Sequence, residues 1–258
     1  MDLGIGGLRV MITAGAGGIG LEVARAFVRE GARVHVCDVD GAALGRLRTS
    51  DPQLTASACD VSDRSQVQRF FDEGIAELGG LDCLVNNAGI AGPTGKVEEI
   101  DPAEWDRCIA IDLTGQFNCV RLAVPHLRKS KNASILNVSS LAGRLGFALR
   151  TPYAAAKWGV IGLTRSLAIE LGGDGIRVNA LLPGVVSGDR QKRVLTAKAQ
   201  AKGISYEEME ELALSFTSLK EYVTPQQLAS YAVYVASPLA RTISGQSLSV
   251  CGDTNMLG

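Results

Sequence analysis

"LRVMITAGAGGIG" spans Leu8 to Gly20, and its reading decides the fold. The stretch through Ala14 is apolar and rich in β-branched residues, as a strand buried on both faces requires. The remainder trades bulk for glycine and runs into a helical pattern from about Gly18 to Glu30. Gly15, Gly17 and Gly20 stand in G-x-G-x-x-G spacing between strand and helix. Glycine permits a tight turn and close approach to the backbone, and the helix N-terminus beyond it favours negative charge. Strand, turn and helix in this order suit the pyrophosphate of a dinucleotide; a glycine turn packed for steric reasons is the plainer alternative. Gly18 and Ile19 complete this first set of candidate cofactor contacts.

Further along, "RVHVCD" (33–38) is a second apolar run that ends on Asp38. A carboxylate there can accept hydrogen bonds from both hydroxyls of an adenine ribose and would repel a 2′-phosphate. Neither Arg nor Lys occurs between Thr13 and Gly20 to hold such a phosphate, so NAD is expected rather than NADP. The series continues with "LTASACD" (54–60), "DCLVNN" (82–87), "SILNVSS" (134–140), "IRVNALLP" (176–183) and "GQSLSV" (245–250). Strands alternating with helical segments predict parallel β-α-β units. The expected fold is α/β: one doubly wound Rossmann domain over residues 1–258, with a seven-stranded, mostly parallel sheet flanked by helices.

Helix starts carry local signals. Asp101 precedes Pro102 and Glu104, Thr224 precedes Pro225 and Gln227, and Ser205 pairs with Glu208. Between Pro183 and Pro225 strand character is lost. "GDRQKRVLTAKAQAK" (188–202) and "SYEEMEELALSF" (205–216) read as two short helices, the second with Met209, Leu212, Ala213 and Phe216 on one face. An excursion after a strand's carboxyl end lies over the binding crevice of this fold, so 186–222 is expected to form a lid.

Composition excludes other classes. With 46% hydrophobic and 21% charged residues the chain can bury a large core, and a net charge of −1 gives no basic excess for nucleic acid. No run is apolar enough to span a membrane, and "MDLGIGGLRV" lacks the pattern of a signal peptide; a cytoplasmic location is expected. The six cysteines include no C-x-x-C pair and are expected as buried free thiols. His35 and His126 lie far apart, so neither a metal site nor a Ser-His-Asp triad is expected.

"YAAAKWG" (153–159) sets Tyr153 and Lys157 four residues apart. The alanines favour helix, which puts both side chains on one face. A phenol ionises near pH 10 and is a poor base at neutral pH unless a fixed positive charge lies beside it. From spacing alone, a surface pair remains the alternative.

Taken together, these segments resemble the short-chain dehydrogenase/reductase family over nearly the whole chain. The resemblance rests on "TAGAGGIG" (13–20), Asp60-Val61, "NNAG" (86–89), "NVSS" (137–140), "YAAAK" (153–157), "RVNALLPG" (177–184) and "ISGQSLSV" (243–250), in that order. It implies that Tyr153 is the general base for alcohol oxidation and the acid for ketone reduction. It implies that Lys157 favours the phenolate and hydrogen-bonds the nicotinamide ribose. It also implies that Ser140, thirteen residues before Tyr153, hydrogen-bonds the substrate oxygen, with Ser139 the less favoured neighbour. Further cofactor contacts are implied for Asp60, Val61, Asn86, Asn87, Ala88, Gly89, Pro183, Gly184 and Val186. A homotetramer is implied through the helices near 102–128 and 153–172, where Ala154, Ala155, Gly159 and Gly162 would allow close approach.

Three positions depart from the family pattern. Ala14 replaces a glycine. Asp112, in "AIDLTG", replaces an asparagine that helps hold a water in the proton relay, and so joins the catalytic candidates. Gly188 replaces a threonine that grips the nicotinamide carboxamide, a task that could pass to Ser187 or to the backbone of Val186. The expected reaction is hydride transfer between NAD(H) and a secondary alcohol or ketone: a polyol, a sugar-like compound or a hydroxy acid. A 3-oxoacyl thioester ketoreductase is the alternative within the family, and a non-catalytic dinucleotide-binding sensor or scaffold the alternative outside it. Arg144, Arg150, Arg190, Lys192 and Arg193 cluster near the expected pocket. Two of them turned inward would select an anion; a solvated basic face is the simpler expectation. Trp158 reads as a packing residue.

Overall fold

The apolar runs assemble into one sheet in a computed structural model that describes residues 2–257. The strands are β1 (Arg9–Thr13), β2 (Arg33–Asp38), β3 (Thr55–Ala58), β4 (Cys83–Asn86), β5 (Ser134–Val138), β6 (Arg177–Pro183) and β7 (Ser247–Val250), in the order β3-β2-β1-β4-β5-β6-β7. Every neighbouring pair is parallel, so the sheet goes beyond the mostly parallel expectation. The reason is connectivity: helical crossovers return the chain to the same end each time.

The helices are α1 (Gly18–Arg29), α2 (Gly41–Ser50), α3 (Arg64–Leu78), α4 (Pro102–Ile109), α5 (Gly115–Leu127), α6 (Thr151–Gly172), α7 (Asp189–Lys202), α8 (Tyr206–Ser215) and α9 (Pro225–Ala236). The expected caps form. Asp101 accepts from the Ala103 N–H, Ser205 from Glu208 and Thr224 from Gln227. Each satisfies a backbone donor that the first turn leaves without a partner.

Successive residues of a strand face opposite sides. Val10, Ile12, Val34, Val36 and Leu136 therefore pack on one side with Phe27 of α1 and Val233 of α9. Met11, Leu84 and Ile135 pack on the other with Phe70 of α3 and Ala123 of α5. Both faces are covered, which is why the strands read as continuous apolar runs. Asn86 is a polar insertion in this core: it donates to Asn137 Oδ1 at 2.9 Å, and Asn137 donates to Thr164 Oγ1 at 3.0 Å, tying β4 and β5 to α6.

The chain order reverses between β1, which continues to β2 and β3, and β4, which continues to β5–β7. A crevice opens at the carboxyl ends of strands at such a point. α7 and α8 pack against each other through Leu195, Ala199 and Met209 in a separate small cluster. All six cysteines are free, five of them buried. Among the described residues, no helix is long and apolar enough to cross a membrane, and no group of His, Cys, Asp or Glu could hold a metal ion.

Candidate active site

The glycines of the first turn divide into two kinds. A methyl group on Gly15 would lie 2.6 Å from Val36 Cβ, and one on Gly20 would meet the Ala14 carbonyl and Asn87. These two let the turn pack against its own neighbours. Methyl groups on Gly17 and Gly18 would meet nothing within 4 Å, and both residues line the cavity with Ile19. Asn87 clamps the turn by donating to the carbonyls of Thr13 and Ala14, both at 3.1 Å. Ala14 has a φ of +51°, so its methyl sits in the left-handed region that glycine would occupy without strain.

The cavity has a volume of about 660 Å³ and runs from this turn to the start of α6. Such a volume is within the usual range for ligand sites. Asp38 lines one end, its carboxylate accepting from the N–H groups of Ala16 and Asp40, both at 3.1 Å. Arg46 of α2 lines the same end, a cation missed when only residues 13–20 were considered. Bare glycine backbone at a helix N-terminus, with a carboxylate at the end of β2, fits a dinucleotide.

At the other end lie Ser140, Tyr153 and Lys157. Lys157 Nζ is 5.5 Å from the centre of the Tyr153 ring, 3.5 Å from Asp112 Oδ2 and donates to the Val138 carbonyl at 3.2 Å. Lys157 is 3% exposed and Asp112 0%, so this is a buried ion pair. A π-turn over 110–114 joins α4 to α5, and Asp112 lies within it. Asp112 Oδ1 also accepts from the Ile90 N–H at 2.7 Å. Ser139 donates to the Lys157 carbonyl at 2.8 Å and is thereby committed to holding α6. Ser140 accepts from the Ala142 N–H at 3.1 Å, starting a short 3-10 turn. A methyl on Gly143 in that turn would lie 2.6 Å from the Lys157 carbonyl, so glycine allows the turn to seat on α6.

Not every candidate reaches the cavity. Asn87, Gly89, Pro183, Gly184 and Val186 line it. Asp60 instead accepts from Ser62 in a local turn, and Val61 is buried against Gly115. Ala88 is buried with its N–H donating to Thr13 Oγ1, and Asn86 is used in the core. Gly188 has a φ of +133°, a conformation that a threonine would adopt only under strain.

The basic residues separate sharply. Arg144 and Lys192 are exposed and away from the cavity, as a solvated face would have them, whereas Arg193 is exposed and lines it. Arg150 corrects that expectation: it is 2% exposed and lines the cavity. Its guanidinium carbon is 5.1 Å from the ring centres of both Phe147 and Tyr153, and Nη2 donates to the Ala91 carbonyl. Lys198, also 2% exposed, lies 4.5 Å from the centre of Phe147. Sequence reasoning passed over it, although its spacing from buried Leu195 puts it on the inner face of α7. Arg190 donates to the carbonyls of Gly89 and Ile90. Trp158 is 53% exposed and so is not a packing residue of this chain's core.

Sheet order, glycine turn and cavity are those of a doubly wound, dinucleotide-binding oxidoreductase. Residues 14–253 match the family model described as Enoyl-(Acyl carrier protein) reductase. D-beta-hydroxybutyrate dehydrogenase of Cupriavidus necator is 32% identical over 246 residues, covering 93% of this chain and 95% of its own. Cis-4-hydroxycyclohexanecarboxylate dehydrogenase of Sinomonas cyclohexanicum is 36% identical over 250 residues, 94% of each chain. The crystal structure of levodione reductase matches with a TM-score of 0.88 and 28% identity, covering 96% of this chain and 97% of that one. The chain belongs to the short-chain dehydrogenase/reductase family.

Proposed function

We propose that the protein is an NAD-dependent oxidoreductase that transfers a hydride between the cofactor and a secondary alcohol or ketone. The carrying observation is one continuous cavity, with Asp38 and the bare glycines at one end and Ser140, Tyr153 and Lys157 at the other. In this reading the whole chain acts as one domain, with 186–222 as its lid, in a cytoplasmic homotetramer. The dehydrogenase relatives support the reaction class, and those acting on hydroxy acids bring such substrates into view.

When bound, the nicotinamide supplies the hydride acceptor. Ser140 hydrogen-bonds the substrate oxygen and aims the carbinol. The Tyr153 phenolate accepts the hydroxyl proton at its oxygen in the oxidative direction and returns it in the reductive one. Lys157 keeps positive charge beside that oxygen, and Asp112 holds Lys157 in place. Gly17 and Gly18 would hold the pyrophosphate, and Asp38 would accept hydrogen bonds from the ribose hydroxyls and disfavour a 2′-phosphate. Arg46 at that end would suit NADP, so the assay includes both cofactors.

The test is reduced-nicotinamide absorbance with NAD+ and NADP+ against secondary alcohols, polyols, hydroxy acids and 3-hydroxyacyl thioesters. The expected outcome is NAD-dependent turnover that falls at least about 1,000-fold in Tyr153→Phe, the order of a lost general base with its hydrogen bond. Tight NAD binding with no turnover of any panel member would favour the sensor or scaffold reading, and a clear NADP preference would remove the role given to Asp38.

A further inference from the structure

Arg150 is held in a way that its structural contacts do not explain. It sits at the start of α6, buried between two aromatic rings, and among the described residues only Nη2 of its side chain has a hydrogen-bond partner. Nε and Nη1 are buried without one. Leaving donors of a charged group unmatched away from water is costly. Lys198 reaches the same cavity from α7, on the other side of Phe147. Burial, then the neighbouring charges of Lys202 and Arg150, push its ammonium down to about 8. Burial likewise pushes the Arg150 guanidinium below its ordinary value. Two buried cations therefore face one cavity, and no ion pair to a carboxylate is formed by either among the described residues. In contrast Lys157, the third buried cation at this end, has Asp112.

We propose that Arg150 and Lys198 are the anchor for a substrate carboxylate, which makes the substrate a short hydroxy acid or its keto form and lets its charge fasten α7 over the site. This rests on the oxidoreductase reading and narrows it. A carboxylate supplies the negative charge and acceptor oxygens that both cations lack, and guanidinium matches its planar geometry. The Arg150 guanidinium lies against the Tyr153 ring, so a carboxylate bound there and a carbinol at the phenol belong to one small molecule. A neutral polyol would leave both cations unmatched. Because Lys198 belongs to the excursion and Arg150 to the start of α6, one anion would touch both elements.

The experiment pairs short 2-, 3- and 4-hydroxy acids with their methyl esters as substrates. In parallel, propionate and propionamide are titrated against the fluorescence of NADH bound to the protein, which needs no turnover. The wild type is expected to prefer the best acid over its ester at least tenfold in kcat/KM, and to bind propionate saturably but not propionamide. Arg150→Gln and Lys198→Gln are each expected to bring the acid-to-ester ratio towards one and weaken propionate at least tenfold. Arg150→Lys should restore part of the preference, which a purely structural role would not require. Lys198→Gln serves as the independent variant should Arg150→Gln fail to fold. Esters oxidised as well as acids by a Tyr153-dependent wild type would overturn the anchor and leave the oxidoreductase standing. Propionate binding that needs Arg150 and Lys198, with no alcohol of either charge oxidised, would sustain the anchor and overturn the oxidoreductase.

Discussion

His35 is a titratable side chain placed where a proton is unwelcome. Its ring stacks on Phe70 at 5.4 Å, and its nitrogens hydrogen-bond Thr55 Oγ1 at 2.7 Å and Ser57 Oγ at 2.9 Å. Burial pushes it down to about 4, against a raising effect from Glu73. Unfolded, it titrates near 6.5, so on acidification the unfolded chain takes the proton first. The stability from keeping His35 neutral is thus full above pH 6.5 and is lost as the pH falls towards 4, by about 3 kcal/mol. Denaturation at pH 7 and 4.5 should show a shallower acid-side loss in His35→Gln; an identical loss would contradict it. Ala14 offers a simpler test. Its left-handed φ makes Ala14→Gly a relief of strain, offset in part by backbone entropy, with an expected gain of about 0.5–1 kcal/mol read as a rise in Tm. At this scale the sequence was informative wherever the chemistry is local. Tyr153 and Lys157 share a helix face by spacing, but their role needed the order of the flanking motifs as well. Lys198 did not announce itself, because its meaning depends on where α7 comes to lie.

Between α4 and α5 the π-turn sets Asp112 against Lys157. One extra residue in a helical turn rotates the side chains that follow it. A methyl on Gly159 would lie 2.7 Å from Leu113 Cδ2, so Gly159 is spent on seating α6 against this turn inside the chain. The resemblance had offered Gly159 to a subunit contact, whereas a methyl on Gly162 would meet nothing within 4 Å. Asp112→Ala would leave Lys157 buried and without its counter-charge, at an expected cost of about 3–5 kcal/mol in stability. Asp112→Asn keeps the acceptor for Ile90 and should cost less; equal denaturation midpoints for wild type and Asp112→Ala would refute the pairing. Strands and caps were legible because a cap answers a backbone need two or three residues away. The π-turn was not, because it depends on α6, some forty residues further on.

Taken whole, the molecule leaves several large apolar side chains in water, among them Phe117 of α5 and Trp158 and Ile169 of α6, the last 84% exposed. These are the helices expected to carry subunit contacts, and burial of such side chains drives association. Sedimentation should give a species larger than the monomer, and Trp158→Glu with Ile169→Glu should dissociate it; a monomeric wild type would defeat the expectation. The order of the sheet has a consequence for how the chain comes together. β1 lies inside the sheet, yet its second neighbour is far downstream: Arg9 meets Asp82 across a separation of 73 residues. During synthesis β1, β2 and β3 can pair as soon as they emerge, while the opposite edge of β1 waits for β4. Until β4 arrives, an apolar strand edge stands open to any strand that can pair with it. The strand that makes the cofactor turn is thus also the seam at which a nascent chain is most exposed to a wrong partner.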